Sequence, residues 1–235
     1  MPSGEERFRV PVQLPGGSVE VSAAFAPATT AAAEAPTVVI AHGAGAGMDH
    51  PFLLGFAAAL QAAGLHALRF TFPYIEAGRR MPGPAAHALL TWRAVTAAAR
   101  QRGSGPVFAC GKSYGGRMAS MAAAEEPGLD VAGLAYLGYP LHPPGKPEKP
   151  RIEHLPAVAQ PQLFVEGTND PFVQPLAQLE EAVASCRSAR IAWIDGGGHS
   201  FEVKGRKQAP AEIGASLAPL VAEFVRGIEF VRGIV

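Results

Sequence analysis

Cysteine is nearly absent from this chain of 235 residues: Cys110 and Cys186 are the only two. Two thiols in a chain of this length do not make the disulfide framework of a small secreted domain, so a reducing cytoplasm is the expected setting. Charge is scarce as well. Only 17% of residues are charged, and twenty basic side chains balance twenty acidic ones. With no net field and no basic run, neither nucleic acid nor an anionic membrane is an expected partner. Long apolar runs are also missing. The longest, Phe52 to Leu68, is broken by Gln61 and His66 and carries Gly64 as a helix stop. It reads as a buried helix and a following strand, because a membrane span needs about 20 apolar residues. The opening MPSGEERFRV lacks the apolar core of a secretory signal.

What the chain does have is apolar bulk. Hydrophobic residues make up 48% of it, enough for one substantial core, and one domain over 1–235 is expected. Residues 7 to 25 alternate around Leu14-Pro15-Gly16-Gly17, the pattern of a hairpin at a sheet edge. The Ala, Thr and Pro-rich segment from Pro27 to Pro36 reads as a loop. Apolar β-type runs then fall near 37–41, 66–72, 106–110, 131–137, 162–166 and 190–194. Helical segments near 51–63, 85–101, 115–125, 174–186 and 209–226 alternate with them. Such alternation predicts a parallel sheet covered by helices on both faces.

Seven of the 24 residues from Gly138 to Pro161 are proline. Proline lacks the amide hydrogen that helices use, so this insert is expected to be a stiff loop and not a helical lid. Lying over the carboxyl edge of the sheet, it either shapes a ligand pocket or merely connects two strands. The tail repeats Glu-Phe-Val-Arg-Gly-Ile at 223–228 and 229–234. Gly227 and Gly233 oppose continued helix, so residues 227–235 are expected to be an extension, with the second copy of the hexapeptide carrying no function.

Residues 107 to 116, VFACGKSYGG, carry the clearest chemical signal. A β-type run ending in Gly111-Lys112-Ser113-Tyr114-Gly115 before a helix reads as a nucleophile elbow. The turn forces the residues two before and two after the serine together, and both are glycine. Ser113 is the candidate nucleophile. A serine hydroxyl needs a base, and the base needs an acid to fix its tautomer. Asp170 in GTNDPF follows the run LFVEG, and His199 in GGGHSF follows IAWID. The order serine, acid, histidine, each just past a strand end, is that of one known triad arrangement. Asp195, Glu166 and Glu148 are rival acids. Two amide donors are needed for the oxyanion. The N–H of Tyr114 is one candidate. The other is Ala44 in His42-Gly43-Ala44-Gly45-Ala46-Gly47, although such a glycine-rich loop also suits a phosphate.

Gly111-Lys112-Ser113 does not complete a nucleotide-binding loop, because the first glycine of that motif would fall on Pro106. His42, Asp49, His50, His142 and His154 show no ligand pair at i, i+4 with a glutamate beside it, so no metal site is expected, and no cofactor. Cys110 reads as a small core residue. Met48, Asp49, Tyr74, His142 and Arg151 are candidate substrate contacts from their places beside strand ends and in the proline-rich insert.

With these residues in place, the chain resembles the α/β-hydrolase superfamily. More narrowly, AHGAGAGMDHPF, RFTFPY, GKSYGGRMAS, LGYPLHPPGK, FVEGTNDPF and GGGHSF resemble the hydrolase-like domain shared by a testis-expressed protein, a regulatory subunit of the nonspecific-lethal histone acetyltransferase complex, and bacterial relatives. The chain is more loosely similar to dienelactone hydrolases, which use a cysteine where Ser113 stands. The narrower family often has glycine in place of Cys110. The resemblance implies an eight-strand sheet with the triad on Ser113, Asp170 and His199. Two expectations follow. One is a serine hydrolase of small or medium esters or thioesters. The other is an interaction module whose triad is a leftover, as the eukaryotic relatives' place in assemblies implies.

Overall fold

The computed structural model describes residues 4–30 and 34–232. The alternating N-terminal segment forms the expected hairpin, β1 (Glu6–Leu14) antiparallel to β2 (Gly17–Ala26). Six further strands follow: β3 (Thr37–Ala41), β4 (His66–Phe70), β5 (Val107–Lys112), β6 (Leu134–Leu137), β7 (Gln162–Gly167) and β8 (Ala189–Ile194). They form one eight-stranded sheet in the order β1-β2-β4-β3-β5-β6-β7-β8. Apart from the hairpin and its antiparallel seam with β4, every pairing is parallel. The carboxyl ends of β3, β5, β7 and β8 therefore share one edge.

Side chains alternate across a strand, so each strand serves two cores. Val38, Ile40, Phe108 and Cys110 face α1 (Pro51–Ala62) and α6 (Pro210–Arg232), where Phe56, Leu60, Leu217 and Phe224 fill the layer. Val39, Ala41, Val107 and Ala109 face the opposite core. That core includes Trp92 of α3 (Ala85–Arg100), Met118 of α4 (Tyr114–Ala124) and Leu179 of α5 (Leu176–Ala184). A single turn, α2 (Pro73–Glu76), was not legible in the sequence. Cys110 is fully buried and burial pushes its thiol up, consistent with a packing role.

Between β6 and β7 the proline-rich insert carries only one turn of 3-10 helix, Leu155–Ala157. It folds back along α4 and α5: Gln178 Nε2 donates to the Pro147 carbonyl at 2.8 Å, and Ser120 Oγ lies 2.8 Å from His154 Nε2.

The C-terminal expectation needs correction. α6 runs through Gly227 to Arg232. Glycine costs about 1 kcal/mol within a helix, but Phe224, Val225 and Ile228 are buried in the core, and Ile228 Cδ1 closes on Gly133. Burying such side chains is worth about 1.5–3 kcal/mol each, which outweighs one glycine. The second glycine, Gly233, lies outside the described residues.

α1 and α6 touch backbone to backbone. A Cβ on Gly55 would lie 2.0 Å from the Ala211 carbonyl oxygen, and one on Gly214 would lie 2.0 Å from that of Phe52. Only glycine permits this crossing, which sets the position of the α6 N-terminus. Gly55→Ala and Gly214→Ala should each destabilise the fold by about 1–3 kcal/mol or more, as overpacked cores do. Thermal unfolding checks this, and unchanged midpoints in both variants would contradict it.

Candidate active site

β5 ends on Lys112 and α4 begins on Tyr114, leaving Ser113 alone to turn the chain. Its backbone sits at φ 48°, ψ −114°, a left-handed conformation that serine rarely adopts. Two features hold it there. The Ser113 N–H donates to the Leu137 carbonyl of the neighbouring strand at 2.9 Å, and the glycines flanking the turn are in backbone contact. A Cβ on Gly111 would lie 2.2 Å from Gly116 N, and one on Gly115 would lie 2.6 Å from the His42 carbonyl oxygen. From α3, Trp92 Nε1 donates to the Gly115 carbonyl at 3.1 Å.

The loops after β7 and β8 bring the other two residues in. Asn169 N donates to the Gly197 carbonyl at 2.9 Å, and Gly196 N donates to Thr168 Oγ1 at 2.8 Å, so the two loops are tied together. Asp170 is fully buried. One of its oxygens accepts the Phe172 N–H at 2.8 Å, and the other lies 2.7 Å from His199 Nδ1. His199 Nε2 lies 2.8 Å from Ser113 Oγ, and the ring rests on Phe172 with centroids 4.1 Å apart. The three residues singled out in the sequence thus form one hydrogen-bonded chain. The rival acids take no part in it. Asp195 lies 3.5 Å from Thr168 Oγ1, and Glu166 is buried in β7, accepting the Tyr139 N–H. Glu148 sits in the insert.

His42 has a role the sequence did not disclose. The ring is fully buried, its Nε2 accepts the Phe72 N–H at 3.1 Å, and its Nδ1 lies 2.7 Å from the Gly43 carbonyl oxygen. An accepting Nε2 leaves the proton on Nδ1, so the ring donates to Gly43. Burial pulls its pKa down to about 4, keeping it neutral. The peptide bond is planar and trans, so fixing the Gly43 carbonyl turns the Ala44 N–H the opposite way. Ala44 lines the cavity beside Ser113.

That cavity measures about 690 Å³. Ala44, Phe52, Leu53, Phe172, Pro210 and Ile213 form much of its wall, with His50, Glu202 and Gln208 among its polar groups. The five proposed substrate contacts lie elsewhere. Met48 is buried and its carbonyl accepts from Arg69 at 2.6 Å, while Asp49 is held by Arg7 at 2.7 Å and by Arg69 at 3.0 Å. Arg69 is itself buried in β4 and also reaches Glu5. These two residues therefore serve a cation and not the cavity. Tyr74 packs against Phe72 and Tyr114 at a separate hollow of about 200 Å³. His142 is buried with Nδ1 2.9 Å from the Pro143 carbonyl, and the Arg151 carbonyl accepts from Tyr139 OH at 3.2 Å. Both belong to the insert, which lies back along α4 and α5.

The described residues contain no group of three or more potential metal ligands. None of the described helices is long and apolar enough to cross a membrane.

A family profile described as an alpha/beta hydrolase domain matches residues 34–226. The chain belongs to the alpha/beta hydrolase family. Among solved structures, this hydrolase is similar to an alpha-beta serine hydrolase homologue from Coxiella burnetii, with 20% identity, a TM-score of 0.70, and 95% of this chain and 97% of that one covered. It is also similar to a serine hydrolase without lid from Xanthomonas campestris, at 19% identity and a TM-score of 0.70, covering 95% of this chain and 96% of that one. A dienelactone hydrolase from Anabaena variabilis shares 23% identity at a TM-score of 0.66, covering 93% of this chain and 96% of that one. At these identities the likeness is one of fold.

His42 is accompanied by His154, whose pKa burial also pulls down to about 4, with Arg117 acting in the same direction. Both rings are kept neutral in the fold, whereas in the unfolded chain they take up protons below about pH 6.5. The unfolded state thus binds more protons as pH falls, and each ring costs the hydrolase at most about 1.4 kcal/mol of stability per pH unit between about 6.5 and 4. NMR titration should show both rings neutral at pH 5, with the urea midpoint falling from pH 7 to pH 4.5. Ring signals titrating near 6.5 would contradict this.

Proposed function

We propose that this chain is a serine hydrolase that cleaves small or medium carboxylic esters or thioesters through an acyl-enzyme on Ser113. The observation that carries the reading is the unbroken run from Ser113 Oγ to His199 to the buried Asp170, at 2.8 and 2.7 Å, opening on a largely apolar cavity. The hydroxyl attacks the acyl carbon while His199 Nε2 takes its proton. Asp170 holds Nδ1–H, which fixes the tautomer that leaves Nε2 free and offsets the charge that develops on the ring. Negative charge gathers on the acyl oxygen, and the N–H groups of Ala44 and Tyr114 are the donors we assign to it. Tyr114 is the first residue of α4, so its N–H belongs to the positive end of a helix dipole. His199 then passes its proton to the leaving oxygen or sulfur. Water, activated by the same ring, releases the acid and restores Ser113.

The cavity argues for substrate class. Phe52, Leu53, Phe172 and Ile213 suit an apolar acyl or aromatic group, and the insert adds no helical cover that a long chain would have to displace. Both cysteines are free thiols, which suits the cytoplasm as the place of action.

Ser113→Ala should lower ester turnover by about 10⁴ or more, and Asp170→Asn by about 10³–10⁴ through the wrong tautomer. A fluorophosphonate should label wild type on Ser113 and leave Ser113→Ala unlabelled. A folded wild type that neither labels nor cleaves any ester in a graded acyl series would overturn the reading and favour the interaction module.

A further inference from the structure

Lys112 stands immediately before the nucleophile, and the sequence offered it no role once the nucleotide loop was excluded. In the structure Lys112 is among the residues lining the cavity, and its ammonium donates to the His199 carbonyl at 2.7 Å. The bond spans 87 residues and joins β5 directly to the loop after β8. Gly138, at φ +69°, leaves the space for it. A Cβ there would lie 3.0 Å from the His199 carbonyl oxygen and 3.1 Å from Lys112 Nζ.

The surroundings of this ammonium are acidic. Glu166 faces it from β7, Asp170 from the loop after β7, and Glu202 from the loop after β8, where His199 also sits. Gly43, from the loop after β3, and Leu137 and Gly138, of β6 and its end, bring no charge. The Phe201 ring lies 5.6 Å away. Glu166 accepts the Tyr139 N–H through Oε1, while its buried Oε2 has no hydrogen-bond partner. Burial pushes that carboxyl well up, favouring its neutral form. Lys112 therefore places a cation beside Asp170 and spends a charge-assisted hydrogen bond on the backbone of the residue that carries the base.

We infer that Lys112 is a positioning residue for the reaction. Its ammonium fastens the His199 carbonyl to the strand that ends in Ser113, so that base and nucleophile keep one distance through the catalytic cycle. The inference rests on the hydrolase reading above. A hydrogen bond to a charged donor is worth more than a neutral one, and an imidazole free to drift lowers the chemical step rather than substrate binding. Burial lowers the Lys112 pKa to about 8, with the carboxylates of Asp170 and Glu202 acting against the shift. The cation is therefore present at neutral pH and is lost as pH rises through about 8.

The test is the pH dependence of kcat for wild type, Lys112→Met and Glu202→Gln on one ester, with active sites counted by phosphonate titration of Ser113. Wild-type kcat should decline on the alkaline side with a midpoint near 8. Lys112→Met should have kcat lowered about tenfold or more, KM changed by less than about threefold, and no such decline. Glu202→Gln keeps an acceptor for the Ser200 N–H, which Glu202 Oε2 now binds at 3.0 Å. Removing its charge should move the alkaline midpoint to lower pH. A Lys112→Met enzyme with wild-type kcat, or with an alkaline decline of wild-type shape, overturns the inference while leaving the hydrolase reading intact. If Lys112→Met does not fold, an unmoved or raised midpoint in Glu202→Gln overturns it alone. Wild type without Ser113-dependent turnover defeats both.

Discussion

At Ser113 the chain leaves a buried parallel strand and enters a helix within one residue, at a backbone angle that costs on the order of 1–3 kcal/mol for a residue with a side chain. That cost is met by the packing around it. Gly111 touches Gly116, Gly115 touches the loop after β3, Trp92 Nε1 binds the Gly115 carbonyl, and Ser113 N is tied to β6. A serine on an ordinary helix would lie along the helix surface. At this corner it stands at the sheet's carboxyl edge, where the loops after β3, β7 and β8 also end.

Much of the remaining architecture keeps those loops in register with the corner. The loops after β7 and β8 are joined through Asn169, Thr168 and Gly196. The loop after β3 is held by His42, which grips both Gly43 and the Phe72 N–H beyond β4. Lys112 closes the circle from β5 to the His199 backbone. The site is therefore preorganised by polar contacts that each engage a backbone group, most of them at least partly buried. Such contacts lose little to solvent screening and need no rearrangement when charge develops.

Features written into consecutive residues could be read before the structure was known. The elbow needs two glycines at fixed offsets, and the acid and the histidine must each follow a β-type run, so Ser113, Asp170 and His199 were legible, as were the hairpin and the alternation of strands and helices. Features that depend on what lies across the sheet were not. The cavity wall comes from the starts of α1 and α6, which are about 160 residues apart but touch through Gly55 and Gly214. Asp49 is drawn off by Arg7 and Arg69, and no local pattern announces a buried arginine in β4. The run through Gly227 went the same way: local propensity pointed to a stop, and burial of Ile228 decided for helix.

The central claim is geometric: an oxyanion formed on a Ser113 adduct meets two backbone donors, one from the loop after β3 and one from the start of α4. A crystal structure of the covalent phosphonate adduct tests this most directly. The account predicts phosphorus bonded to Ser113 Oγ and its oxygen about 2.7–3.1 Å from the nitrogens of both Ala44 and Tyr114. An adduct oxygen directed into the cavity and away from both amides, with His199 still beside Ser113, would contradict it.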